Sequence, residues 1–302
     1  MQDSTGRDRS PNASNGANRW IDVRTLMAIQ DLHWRAKTVV DGFQTGLHRS
    51  PLHGFSVEFS EYRPFSAGDD PRSIDWKLYA RSDRPYIKKF EDETNRRCYL
   101  VVDQSQSMRY ASTGYSKHDY ARTLAATIAF HLIRQRDAVG LVTFDQRVQE
   151  LLTARYRTGQ LKRILSMLER STAGESTDLA SPLKQVSELV RHRSLVVVIS
   201  DFLVDPKMLQ TPLAFLRARK HEVVLFRILD PRELDFQLDK PIMVRDVESG
   251  IERFVDPAAA RKSYLQKFLE HAEQLRGIAE PLGIPCLQWS TEQPLELALH
   301  AF

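Results

Sequence analysis

Apolar positions in the C-terminal two thirds of the chain follow two periods, one typical of strands and one typical of helices. The continuous apolar runs Cys98–Val102 and Ser194–Ile199 are expected of strands that are buried on both faces. Asp119–Arg134 instead carries apolar residues at four-residue spacing, which predicts a helix. Further strands are predicted at Ala138–Phe144, Val148–Leu152, Glu222–Leu229 and Ile284–Trp289, and further helices at Leu161–Leu168, Leu179–Val190, Met208–Arg219 and around Leu265–Leu275. This alternation predicts an α/β fold with a doubly wound, mostly parallel sheet.

The pattern before residue 97 is different. Trp20–Phe43 has helical spacing, and Phe55–Tyr62 alternates like a half-buried strand. A short helix is expected after Asp70, where Asp75 and Trp76 would dock this part of the chain on the main domain, with Trp76 buried against the main sheet or the Trp20–Phe43 helix. We therefore predict a polar disordered tail over residues 1–19, a smaller N-terminal α+β module over 20–96, and the main domain over 97–302.

Composition narrows the class of protein. The 302 residues carry a formal net charge of +4 with both signs interspersed, which is too weak a bias to indicate nucleic-acid binding. No apolar run reaches the roughly 18 residues that span a membrane. The two cysteines, Cys98 and Cys286, lie far apart and form no disulfide framework. These features favour a cytoplasmic protein with reduced thiols.

Hydroxyl and carboxylate side chains follow two of the predicted strands and precede one of the predicted helices. In an open parallel sheet, ligands bind at the carboxyl ends of the strands. The candidate ligands at these positions are Asp103, Ser105, Ser107, Thr177 and Asp201. Oxygen donors of this kind suit Mg²⁺ or Mn²⁺ and not zinc or copper. The alternative is that these residues are helix caps and turn residues, for which Ser, Thr and Asp are common choices.

The same five residues resemble the metal-ion-dependent adhesion site of the von Willebrand factor A fold. The set is complete, and one departure is Phe202, where many members of that fold have glycine. The resemblance implies a site that accepts a carboxylate from a partner protein. The chain has no nucleophile elbow, no Walker lysine and no Gly-x-Gly-x-x-Gly motif.

The N-terminal half carries a second resemblance. The runs Glu58–Arg63 and Gly68–Trp76, followed by Ala80–Arg81, are similar to the signature of the family called domain of unknown function 58. The resemblance implies an association with AAA+ ATPases of the MoxR type, in assembly or remodelling of client proteins. The charged residues of this segment are also compatible with a buried ion-pair and capping network.

These observations favour a non-enzymatic, metal-dependent interaction or adaptor protein. Its expected partners are a MoxR-type ATPase, a client protein that offers an acidic side chain, or both. The alternative from another class is a Mg²⁺-dependent phosphate-ester hydrolase with Asp103 as nucleophile. That alternative lacks the second carboxylate two residues later that aspartyl-phosphate phosphatases use as an acid. A nucleic-acid binder would need a basic stripe interleaved with aromatic residues, which the sequence does not show.

Overall fold

The computed structural model describes residues 20–49, 62–64, 84, 86–88, 96–170, 179–236, 242–245 and 252–302. The helices are α1 (Val23–Ala28), α2 (Leu32–Arg49), α3 (Lys117–Arg134), α4 (Gln160–Glu169), α5 (Ala180–Leu189), α6 (Gln210–Ala218), α7 (Pro231–Asp235), α8 (Pro257–Ala279) and α9 (Leu295–Ala301). The strands are β1 (Tyr62–Pro64), β2 (Tyr86–Lys88), β3 (Arg97–Asp103), β4 (Ala138–Phe144), β5 (Val148–Arg155), β6 (Leu195–Ser200), β7 (Glu222–Leu229), β8 (Ile242–Arg245), β9 (Glu252–Val255) and β10 (Cys286–Ser290). Short 3₁₀ segments lie at Ser107–Arg109, Pro206–Leu209 and Glu280–Leu282.

The main sheet has six strands in the order β10-β7-β6-β3-β4-β5. All neighbouring pairs are parallel except β4 and the edge strand β5, which are antiparallel. The chain moves outward from β3 to β4 and β5, and then returns to place β6 on the other side of β3. The strand order therefore reverses between β3 and β6, and this reversal is the topological switch point of a doubly wound sheet. The predicted α/β fold class is confirmed.

Apolar cores cover both faces of the sheet. Leu100 and Val102 of β3 face one core, and Tyr99 and Val101 face the other, because successive residues of a strand point to opposite faces. The first core is completed by side chains of α1, α2, α3, α4 and α9, and the second by side chains of α5, α6 and α8. Burial on both faces explains why β3 and β6 appear in the sequence as unbroken apolar runs.

The N-terminal helical region consists of two helices, so the prediction of one helix over Trp20–Phe43 is wrong in its continuity. Asp31 interrupts it, because its carboxylate accepts a hydrogen bond of 2.9 Å from the backbone N–H of Trp34 and so caps α2. Asp22 caps α1 in the same way. Val39 and Phe43 of α2 are buried in the core that α3 also lines. The boundary between residues 96 and 97 stays a prediction.

Two smaller pairs of strands accompany the main sheet. Strands β1 and β2 pair antiparallel, and so do β8 and β9. The predicted helix after Asp70, including Asp75 and Trp76, lies outside the described residues, as does most of the predicted strand Phe55–Tyr62. Within the described ranges, none of the helices is both long enough and apolar enough to cross a membrane.

Candidate metal centre

Two of the candidate ligands lie side by side at the switch point of the sheet. Asp103 is the last residue of β3, and Asp201 directly follows β6, the neighbouring strand. Both carboxylates are fully buried. Two buried carboxylates at one strand edge are unfavourable unless cations or hydrogen-bond donors compensate their charge.

Hydrogen bonds fix the Asp103 side chain. Its Oδ1 accepts from the backbone N–H of Ser105 at 2.8 Å, and its Oδ2 accepts from the hydroxyl of Ser200 at 2.6 Å. Burial and the nearby charge of Asp201 raise the pKa of Asp103 well above its usual range, although these hydrogen bonds oppose the shift. Additional positive charge close to Asp103 would therefore favour its ionised form.

The hydroxyl groups of the two serines after Asp103 converge. The hydroxyl oxygens of Ser105 and Ser107 lie 3.1 Å apart and share a hydrogen bond. Ser105 is buried, and Ser107 begins the 3₁₀ segment Ser107–Arg109. The turn thus brings two neutral oxygen donors to the same edge of the sheet as the two carboxylates.

Thr177, the fifth predicted ligand, lies outside the described residues. The structure therefore places four of the predicted residues at one site: Asp103, Ser105, Ser107 and Asp201. Within the described ranges, no group of three or more His, Cys, Asp or Glu side chains is arranged to hold a metal ion. A cation at this edge would accordingly depend on hydroxyl oxygens as well as on the two carboxylates. Hard oxygen donors of this composition fit Mg²⁺ or Mn²⁺.

The segment after β6 holds Asp201 in an unusual backbone setting. Phe202 has φ +54°, in the left-handed region that favours glycine, and its side chain is fully buried in the second core. The backbone N–H of Phe202 donates to Ser200 Oγ at 3.0 Å, and that of Leu203 donates to Asp201 Oδ1 at 3.2 Å. The conformation explains why glycine suits this position, while here an apolar side chain anchors the turn.

Sequence reasoning missed a lysine at this site. Lys117, the first residue of α3, reaches the carboxylates of Asp201 at 2.8 Å and Glu233 at 2.6 Å through its Nζ. Burial lowers the pKa of Lys117, but the two carboxylates outweigh burial and the pKa is raised overall, so the lysine is charged at neutral pH. The available signal was the pattern Ser-Lys-x-Asp at residues 116–119, a capping box that fixes Lys117 as the first residue of α3.

Further bonds join this site to α7 and α8. Glu233 Oε2 accepts from the backbone N–H of Asp230 at 2.8 Å, which forms a second capping box at the start of α7. Arg227 lies between the backbone oxygen of Asp201 and His271 of α8. The carboxylates of the site are therefore embedded in a connected network of buried polar groups.

The fold and this polar edge define a doubly wound α/β protein, the class to which von Willebrand factor A domains belong. The chain belongs to the family described as "Protein of unknown function DUF58", which matches residues 61–274. The uncharacterized protein Rv1480 of Mycobacterium tuberculosis is 28% identical over 279 residues, which cover 90% of this chain and 86% of that protein. The uncharacterized protein MAV169 of Mycobacterium avium is 29% identical over 142 residues, which cover 47% of this chain and 83% of that protein.

Solved structures that are similar to this chain include an aerotolerance-related membrane protein from Bacteroides fragilis. Its TM-score is 0.44 at 16% identity, with 68% of this chain and 96% of that chain covered. The VWA domain of SpRpn10 has a TM-score of 0.44 at 12% identity, with 68% of this chain and 95% of that chain covered.

Proposed function

We propose that this protein is a non-enzymatic, metal-dependent interaction or adaptor protein. In this proposal, one Mg²⁺ or Mn²⁺ binds through Asp103, Ser105, Ser107, Thr177 and Asp201. The observation that carries it is the meeting of two hydroxyls and two buried carboxylates at the switch point between β3 and β6. Ligands of doubly wound sheets bind in the crevice at this position.

The charge of the site supports a divalent cation. Asp103 and Asp201 bring two negative charges, and the raised pKa of Asp103 reflects burial together with the charge of Asp201. A divalent cation supplies positive charge to this pair and favours the ionised form of Asp103. The hydrogen bonds to Asp103 from Ser105 and Ser200 hold its carboxylate in a fixed orientation in advance. Such preorganisation lowers the entropic cost of binding.

A bound cation would supply a coordination position that a carboxylate from another protein can fill. As its partner we propose a MoxR-type AAA+ ATPase, an acidic client protein, or both. The chain belongs to the DUF58 family, and its resemblance to that family implies this association. The proposed role is assembly or remodelling of client proteins. We propose the cytoplasm as the compartment, because free cysteines such as Cys98 and Cys286 stay reduced there.

The side chains at the site favour recognition over catalysis. The ammonium of Lys117 forms ion pairs with both Asp201 and Glu233. We therefore assign it to charge compensation and not to proton donation to a substrate. General acid–base catalysis needs a group within hydrogen-bond reach of the substrate with a pKa near the working pH. We assign Ser105 and Ser107 as ligands rather than nucleophiles, since each hydroxyl neighbours the other and neither is hydrogen-bonded to a histidine among the described residues.

An affinity pull-down against the co-expressed MoxR-type ATPase tests this function. We expect association in Mg²⁺, loss of association in EDTA, and loss in the Asp103→Ala variant in Mg²⁺. The matched control is Asp41→Ala, which removes an aspartate from the exposed ion pair with Arg134. Association of equal strength with and without metal would contradict a metal-dependent contact, as would equal loss in the Asp41 control.

A further inference from the structure

Lys117 is a buried cation in an unfavourable position. Its side chain is 0% exposed, and it lies at the first position of α3. The helix dipole disfavours positive charge at a helix N-terminus, and removing an ammonium from water is costly without close partners. The backbone N–H of Lys117 donates to the carbonyl of Tyr110 at 3.1 Å, so the main chain is also fixed.

The partners of Lys117 connect it to the candidate metal ligands. The Oδ2 of Asp201 accepts from the ammonium at 2.8 Å, while its Oδ1 accepts from the backbone N–H of Leu203. One carboxylate oxygen of Asp201 is therefore already bonded to a cation. Glu233 accepts from the same ammonium at 2.6 Å, so the positive charge of Lys117 is shared between the two carboxylates. The balance between these two carboxylates sets how much positive charge Asp201 already has.

We propose that Lys117 is a built-in cation that holds Asp201 in place without metal and lowers the affinity of the site for a divalent cation. This inference rests on the proposed function, because it concerns the same metal site. The ammonium repels a second cation and occupies an oxygen that the metal or a metal-bound water would use. In return, it compensates one of the two buried carboxylates, so the site does not need metal to stay folded.

The inference predicts opposite effects for the two partners of the ion pair. Lys117→Met has a similar length and no charge, so it frees Asp201 and removes the repulsion. Glu233→Gln keeps a carbonyl oxygen for the capping box at Asp230 but loses its negative charge. Lys117 then relies on Asp201 alone, and the site becomes more positive. Metal affinity should therefore rise in the first variant and fall in the second.

The experiment is a calorimetric titration of Mn²⁺ into the full chain after removal of metal with EDTA. We expect Lys117→Met to bind about tenfold more tightly than wild type or better, and Glu233→Gln to bind about threefold more weakly or worse, from the size of Coulomb interactions between nearby charges. The control is Lys162→Met, the same change at an exposed position of α4, which should leave the affinity unchanged. Melting curves should show a larger Mg²⁺-induced rise in Tm for Lys117→Met than for wild type.

Folded Lys117→Met protein that binds Mn²⁺ no more tightly than wild type would overturn the inference. If Lys117→Met does not fold, the Glu233→Gln variant decides alone, and unchanged or tighter binding there overturns it. The proposed function fails separately, if wild type shows no Mn²⁺ binding that Asp103 controls. Binding that appears only in Lys117→Met would support the role of Lys117 and refute the proposed function.

Discussion

Two buried carboxylates in this protein, Asp201 and Glu296, are compensated to different extents. Asp201, at the carboxyl edge of the sheet, has a partner for each oxygen, the ammonium of Lys117 and the backbone N–H of Leu203. Glu296 lies in α9, where its Oε1 accepts from the backbone N–H of Ile21 at 3.0 Å. Its Oε2 is buried and has no hydrogen-bond partner within the described part of the chain.

The difference shows what each carboxylate does for the molecule. Burial raises the pKa of Glu296, which favours the neutral acid, and the carboxyl group mainly holds α9 to Ile21, two residues before α1. Asp201 instead lies beside the ammonium of Lys117 and near the carboxylate of Asp103. Asp201 has a hydrogen-bond or ion-pair partner for each carboxylate oxygen, whereas Glu296 has one for only one of its oxygens. We therefore expect opposite changes in stability when the negative charge is removed, a loss at Asp201 and a gain at Glu296.

The largest effect is expected for Asp201→Ala. It leaves the buried ammonium of Lys117 with Glu233 alone, and breaking a buried ion pair from one side costs about 3–5 kcal/mol. We expect a loss of this order in the free energy of unfolding, measured by urea titration in EDTA. The double variant Lys117→Met with Asp201→Ala should lose less than the sum of the two single variants. A loss below about 1 kcal/mol in Asp201→Ala would contradict an essential ion pair.

An intermediate effect is expected for Phe202→Gly, which tests how the Asp201 turn is held. Glycine removes the cost of the left-handed backbone, about 1–2 kcal/mol, but loses the buried ring, worth about 3–5 kcal/mol. Packing should prevail, so the variant should be destabilised by about 2–3 kcal/mol in urea unfolding. A variant as stable as wild type would show that backbone strain, and not packing, dominates this turn.

The smallest effect, and the opposite sign, is expected for Glu296→Gln. Because the folded-state pKa of Glu296 is raised, its favourable contribution is complete below the ordinary carboxyl pKa and is lost as pH rises through the raised value. The neutral amide avoids that loss. We expect the variant to be about 1 kcal/mol more stable than wild type at pH 8, with the difference shrinking towards pH 4. A variant that is less stable than wild type across this range would refute the interpretation.

Most of the sheet could be predicted from the sequence because burial on both faces leaves a clear apolar pattern. Strand β7 was predicted with its observed ends, Glu222–Leu229, and β4 likewise. The break between α1 and α2 was missed because apolar spacing continues across Asp31, whose capping role depends on one side-chain hydrogen bond. The short helix α7 was missed too, although Asp230-Pro-Arg-Glu233 has the form of a capping box with proline at the first helical position.

Of the candidate site, only the proximity of its candidate oxygen ligands could be predicted from the sequence. Asp103, Ser105, Ser107 and Asp201 follow strands whose carboxyl ends must meet in a parallel sheet, so their proximity follows from topology. Lys117 begins a helix beyond a loop, and a lysine there is typical of solvent exposure. Its burial depends on Asp201 and on Glu233, which lies 116 residues away in the chain. A single sequence does not reveal that pairing.

The central claim, a divalent-cation site controlled by Asp103, is tested most directly by calorimetric titration of Mn²⁺ into wild type and Asp103→Asn. Asparagine has the shape of aspartate, keeps an oxygen for the Ser105 N–H and can donate its amide N–H to the Ser200 hydroxyl oxygen. Because burial and Asp201 raise the pKa of Asp103, losing the buried negative charge should leave the variant folded and at least as stable as wild type in EDTA. We expect wild type to bind one Mn²⁺ per chain and the variant to bind at least about a hundredfold more weakly, since a ligand charge is lost. Equal Mn²⁺ affinity in the two proteins would contradict the account.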